Sequence, residues 1–178
     1  MQVCCLGDSN TYGYDPRSYF GDRYPKESRW VNLLSGKTGW AVLNEGENGR
    51  RIPRSPVKLS CGLDLLIVML GTNDILQGAN ADAAANHMED FLKHLPLEDR
   101  KILLVAPPPM VPGTWTDARL IDTSRQLAVQ YQEVARHLGI RFGDAGLWKV
   151  DLAFDGVHFS EAGHRAFADG IYSLLKKW

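Results

Sequence analysis

An α/β fold is what this sequence predicts: a single domain over residues 1–178, a three-layer α/β/α sandwich on a five-stranded parallel sheet. The prediction starts from short apolar runs of strand length that alternate with longer helix-like segments from one end of the chain to the other. One of those runs, residues 65–70 (Leu-Leu-Ile-Val-Met-Leu), is apolar without a break, as expected of a strand covered on both faces. The length supplies the third argument, since 178 residues hold one substantial core and not two ordinary domains. Strand–helix alternation in one domain implies parallel pairing through crossovers, most simply in the flavodoxin-like order 2-1-3-4-5.

The elements follow in order. Strands are predicted over 2–6, 40–43, 63–70 and 101–106, with a weaker fifth over 140–142. A first helix runs from Ser28, a plausible N-cap, to Ser35, with Gly36 beyond it. A second spans 81–94 and stops before Pro96; a third covers 116–138 and ends at Gly139. The last begins after Ser160 and carries Ala162, Phe167, Ile171 and Leu174 at helical spacing.

Bulk properties narrow the function. A net charge of −1 leaves no electrostatic footprint for nucleic acid or an anionic membrane, and the densest basic run (Arg50, Arg51, Arg54) reads as a solvated loop. No apolar run approaches bilayer length. The three cysteines show no framework spacing, and adjacent Cys4 and Cys5 would point to opposite faces of a strand. Buried free thiols in a reducing compartment are expected. Ser9 comes too soon after Met1 to leave room for a signal peptide, so the expected location is cytoplasmic. The sequence holds no Walker loop, dinucleotide fingerprint or His-Glu-x-x-His, and its histidines do not combine with cysteines at zinc spacing, so no cofactor or metal is expected. His87 and His94 read as a solvated helix face, and His164 as helix surface or a contact behind the site.

In open α/β sheets, ligands sit beyond the carboxyl ends of the strands near the point where strand order reverses. Four segments fall there: Gly7-Asp8-Ser9-Asn10 after the first strand, 44–49 (Asn-Glu-Gly-Glu-Asn-Gly) after the second, Gly71-Thr72-Asn73-Asp74 after the third, and Asp155-Gly156-Val157-His158 before the last helix. Each is weak alone, because a Gly-Asp-Ser turn is usually only a turn and Asn73 could simply cap a helix. Together they meet a specific need. A serine hydroxyl becomes a nucleophile when a base takes its proton, and a carboxylate holds the imidazole in the required tautomer. Asp155 and His158, three residues apart, can share one short turn. The Ser9 N–H, a glycine N–H from the second loop (Gly46 or Gly49) and the Asn73 amide could surround an oxyanion.

These blocks resemble the SGNH (or GDSL) hydrolases, whose Ser, Gly, Asn and His markers match Ser9, Gly49, Asn73 and His158, and whose Asp matches Asp155. The likeness runs from Gly7 to Gly163. Further stretches are similar to the arylesterase branch: Thr11-Tyr12-Gly13-Tyr14, Arg29-Trp30, Gly49-Arg50 and the triple proline Pro107-Pro108-Pro109. The resemblance implies a metal-free serine esterase acting on aryl or short-chain acyl esters or acetylated carbohydrates through an acyl-enzyme, or a thioesterase or lysophospholipase of the same family. Ser9, Asp155 and His158 are then catalytic, and Ser9, Gly49 and Asn73 form the oxyanion hole. Asn10 stands where leucine is often found, with no mechanistic weight attached to it.

The partner expected is a small-molecule ester, with no nucleic acid and no membrane; a homo-oligomer is left open. A Gly-x-Ser-x-Gly elbow is absent, which argues against an α/β-hydrolase proper. The rivals are a non-enzymatic flavodoxin-like binding module, which leaves Asp155 and His158 unexplained, and a degenerate carbohydrate-binding relative. The proline-rich stretch 107–115 could be a pocket wall, a subunit contact or a stiff surface loop.

Overall fold

The computed structural model describes residues 1–177. Five strands, β1 (Gln2–Gly7), β2 (Ala41–Gly46), β3 (Leu65–Met69), β4 (Ile102–Ala106) and β5 (Arg141–Asp144), pair in parallel in the order β2-β1-β3-β4-β5. Six helices accompany them: α1 (Ser9–Tyr12), α2 (Trp30–Thr38), α3 (Thr72–Leu76), α4 (Ala81–Lys93), α5 (Ala118–Leu138) and α6 (Glu161–Leu175). The class, the three layers and the strand order agree with the sequence reading.

Side-chain alternation along the strands builds two cores, one per face. Val3, Cys5, Leu65, Ile67, Met69, Leu103 and Val105 pack against Trp30, Val31 and Leu34 of α2 and Phe167, Ala168 and Ile171 of α6. Cys4, Leu6, Leu66, Val68 and Leu104 pack on the other face against α4 and α5. β3 is buried at every residue, which is why its sequence lacks any polar alternation.

Several boundaries differ from the expectation. The first long helix starts later and runs further, through Gly36 to Thr38, because Gly39 and not Gly36 takes the left-handed conformation (φ 70°) that ends a helix. Ser28 closes a short 3-10 turn and Arg29 stands at the N-cap. The third long helix begins at Ala118, with the Asp117 side chain accepting from the Leu120 N–H. Of the cysteines, Cys4 and Cys5 are buried and Cys61 is exposed, which corrects the expectation of three buried thiols. No helix among the described residues is long and apolar enough to cross a membrane.

Of the two expectations for His164, helix surface is corrected. It is fully buried between the rings of Tyr24 and Phe159, each with its centroid 5.3 Å away, and its Nδ1 accepts the Trp30 N–H at 3.4 Å. Burial, aided by the charge of Arg29, pushes the imidazole down from 6.5 to about 3. The unfolded chain therefore takes up a proton near pH 6.5 that the folded chain refuses until about pH 3. The stability tied to this residue is present above pH 6.5 and is lost as the pH falls toward 3. Relative to His164→Leu, the wild type should lose about 1.4 kcal/mol per pH unit between roughly pH 6 and 4 in urea unfolding. Parallel pH profiles for the two proteins would show that His164 is not held neutral.

Candidate active site

Each segment singled out in the sequence ends at the same edge of the sheet. β1 stops at Gly7, Asp8 caps α1 by accepting the Asn10 N–H at 3.0 Å, and Ser9 becomes the first residue of that helix. Ser9 is only 7% exposed but faces a cavity of about 270 Å³. Gly49, Asn73 and His158 border the same cavity, with Tyr14 and Trp115. Asp155 lies behind the histidine, 1% exposed.

The polar groups form a continuous chain. Asp155 Oδ2 lies 2.6 Å from His158 Nδ1, and His158 Nε2 lies 3.0 Å from Ser9 Oγ. A carboxylate can only accept, so Nδ1 carries the proton, and Nε2 is free to accept from the serine hydroxyl. Asp155 Oδ1 takes the N–H groups of Val157 and His158, each at 2.9 Å, which fixes the carboxyl before the imidazole reaches it. Burial raises the proton affinity of this carboxyl. The hydrogen bonds from the His158 ring and the two N–H groups outweigh it, and the net pKa falls below the ordinary 3.8.

Asp8 shows the opposite balance. Its burial outweighs the Asn10 N–H bond and the charge of His158, and the carboxyl rises to about 6. Thus two carboxyls coupled to one imidazole are shifted in opposite directions by their surroundings.

The loop after β2 separates the two glycines that the sequence left open. Gly46 ends β2 beneath α1: a Cβ there would stand 2.0 Å from the Tyr12 nitrogen. Gly49 lies beyond the strand on the cavity wall, with φ 74° and open space around it. Gly46 is therefore a packing glycine, and Gly49 is the one at the cavity. The charges around them are structural. Arg50, expected in a solvated loop, donates to the carbonyls of Gly7 (3.2 Å) and Glu45 and pairs with Glu47 at 2.6 Å, tying the ends of β1 and β2 together. Its own carbonyl accepts one Asn73 Nδ2 hydrogen at 3.1 Å, which orients the amide at the cavity. Asp74 is fully buried and accepts the Ile52 N–H at 3.0 Å, so it fastens the β2–β3 connection to α3.

The proline-rich stretch resolves into a brace and a wall. Val111 N–H donates to the Gly156 carbonyl and Trp115 N–H to that of Asp155, both at 3.1 Å. The Trp115 ring then stands edge-on to His158 at 5.2 Å, while Tyr14 tilts over the same imidazole at 4.6 Å. The sequence reading missed three contributors: Tyr14, the buried carboxyl of Asp8 and the side chain of Asn10.

Residues 5–166 match the GDSL-like lipase/acylhydrolase family. A provisionally assigned arylesterase from Agrobacterium tumefaciens is 31% identical, with a TM-score of 0.84 over 99% of this chain and 98% of that one. A carbohydrate acetylesterase from Sinorhizobium meliloti (25% identity, TM-score 0.83) and the aryl esterase of M. smegmatis (26%, 0.83) likewise align over 99% of this chain and 98% of theirs. No curated protein matches the chain.

The two glycines give a test of the site's construction. Gly46→Ala should lose about 3 kcal/mol of stability, and activity with it, because α1 and Ser9 must move. Gly49→Ala should lose only about 1 kcal/mol, since its left-handed backbone is strained but its space is open. Thermal unfolding of both variants checks this, and a reversed order would contradict the assigned positions.

Proposed function

This chain belongs to the GDSL-like lipase/acylhydrolase family and is a carboxylic ester hydrolase, and from that premise we propose that it cleaves small esters through an acyl-enzyme on Ser9. The observation that carries the reading is the unbroken hydrogen-bonded chain from Asp155 through His158 to Ser9 at the wall of one cavity.

In this reading, Ser9 Oγ gives its proton to His158 Nε2 as it attacks the ester carbonyl carbon. Asp155 stabilises the imidazolium without taking its proton. The tetrahedral oxyanion is met by the Ser9 and Gly49 N–H groups and by the second Nδ2 hydrogen of Asn73, the first being held by the Arg50 carbonyl. The imidazolium then protonates the alcohol oxygen as the C–O bond breaks. Water, activated by the same histidine, attacks the acyl-enzyme and releases the acid.

The cavity supports a reading of the substrate class. About 270 Å³ between Tyr14 and Trp115 suits a short acyl group with an aryl or alkyl alcohol, whereas a long chain in extended form would reach beyond it. The acetylesterase and aryl esterase activities named for the similar structures agree with that size.

Two outcomes are expected. Ser9→Ala should abolish turnover of a nitrophenyl ester while the protein stays folded, and a fluorophosphonate should label the wild type at Ser9 alone; undiminished turnover in the variant would end the proposal. Across a series of acyl lengths, kcat/KM should be highest for acetyl to butyryl esters. Faster turnover of a twelve-carbon ester would place the acyl group outside this cavity.

A further inference from the structure

We propose that Asn10 is a positioning residue of this site, a two-point clamp that sets the distance between the Ser9 hydroxyl and the His158 imidazole. The inference rests on the roles given above to Ser9 and His158.

Asn10 follows the nucleophile directly and is 3% exposed. Its side-chain amide reaches across 147 residues of sequence, where Nδ2–H donates to the Val157 carbonyl at 3.2 Å. Its Oδ1 accepts the Phe159 N–H at 2.8 Å. The two partners flank His158 on either side, so the carboxamide grips the backbone that carries the base. The partners also fix the orientation of the amide, because a carbonyl can only accept and an N–H can only donate. The Asn10 main chain is held in turn: its carbonyl accepts the indole N–H of Trp30, a fully buried ring, at 3.1 Å.

The other hydrogen bonds of the 155–159 segment do not register it against the serine, and Tyr14, whose N–H donates to the Ser9 carbonyl at 3.0 Å, adds a ring contact to His158 at 4.6 Å but no directional bond. Asp155 bonds within its own turn, and the 111–115 stretch braces that turn from the other side. Among the described residues, the hydrogen bonds from α1 to this segment are the Ser9–His158 contact and the two made by Asn10. The catalytic contact breaks and re-forms during each turnover. The Asn10 bonds are then the hydrogen bonds that hold the two parts in register while the serine is acylated.

The residue type fits the task. One carboxamide offers a donor and an acceptor in a single plane, matched to a backbone C=O and N–H two residues apart. Leucine would fill the same space but leave both buried groups unpaired, and the loop would be free to shift. Aspartate would keep the Phe159 bond and set a second acceptor against the Val157 carbonyl. Because a displacement of about 1 Å at a reacting pair costs up to 10²-fold in rate, loss of the clamp should act on the chemical step.

The test is steady-state kinetics of Asn10→Leu, Asn10→Asp and Ser9→Ala on a short nitrophenyl ester. For wild type and the Asn10 variants each rate is divided by the concentration of sites titrated with a fluorophosphonate, and for Ser9→Ala, which has no hydroxyl to titrate, by the total protein concentration. For Asn10→Leu, kcat per titrated site should fall about 10–100-fold while KM stays within about threefold of wild type. Asn10→Asp should lose less, at least about fivefold, and decides the matter alone if the leucine variant does not fold. A residue that serves only stability would lower the melting temperature and the number of active sites without changing kcat per site. Rates within twofold of wild type in the variants that fold, beside an inactive Ser9→Ala, would overturn the clamp and leave the serine assignment standing. An active Ser9→Ala would instead remove the serine assignment and the clamp together.

Discussion

The site depends on the register around β1. That strand pairs with β2 on one side and β3 on the other, all three running the same way, and Gly7 lies opposite both Gly46 and Met69. The three chains therefore leave the sheet level with one another, and the loops that carry Ser9, Gly49 and Asn73 begin in one row. Strand order reverses at β1, so the connections diverge to opposite faces and a cleft opens between them. A slip of one residue in either pairing would turn every buried side chain of the strand to the wrong face. The two apolar cores hold the geometry of the cavity as much as they hold the fold.

A level edge is necessary but not sufficient, because His158 arrives from a different part of the chain. Its turn is secured by polar side chains that look unremarkable in sequence. Asp155 gathers the N–H groups of its own turn, Asn10 crosses from the serine side, and the 111–115 backbone closes the outer flank. Arg50 and Asp74 do the same for the β2 and β3 loops. Buried donors and acceptors with fixed directions specify a position more narrowly than apolar contacts of equal area.

The sheet was legible because its signals are local: uninterrupted apolar runs for the central strands, a left-handed glycine at 139 and an N-cap at Ser160. That the candidate site residues gather at one cavity was legible because their blocks stand just beyond strand ends. What escaped depended on distant partners or on segments too short for periodicity. α1 and α3 have four and five residues, fewer than any helical repeat can mark. Asn10 has a meaning only when Val157 and Phe159 are known to stand beside it. His164 is different, since a signal existed: it precedes Phe167, Ala168 and Ile171 by three, four and seven residues, on the buried stripe of α6. Its polarity hid that spacing. Arg50 was misread for the same reason, as a charge taken for a solvated loop.

Electrostatics separates the two carboxyls of the candidate site. Both Asp8 and Asp155 are buried near one imidazole, and desolvation raises the proton affinity of each. Asp155 receives two backbone N–H groups and the ring N–H, enough to bring its pKa below 3.8. Asp8 caps α1 through the Asn10 N–H, and its hydrogen bonds leave the cost of burial uncompensated, with a pKa of about 6. With its pKa below 3.8, Asp155 is an anion near neutral pH, which fits the orienting role proposed for it. Asp8 gains its charge only as the pH rises past 6 and adds a second negative charge near the same ring. The division follows from hydrogen-bond supply alone, with the same residue type in both places. It leaves Asp155, which the ring N–H touches, as the carboxylate suited to orient the base.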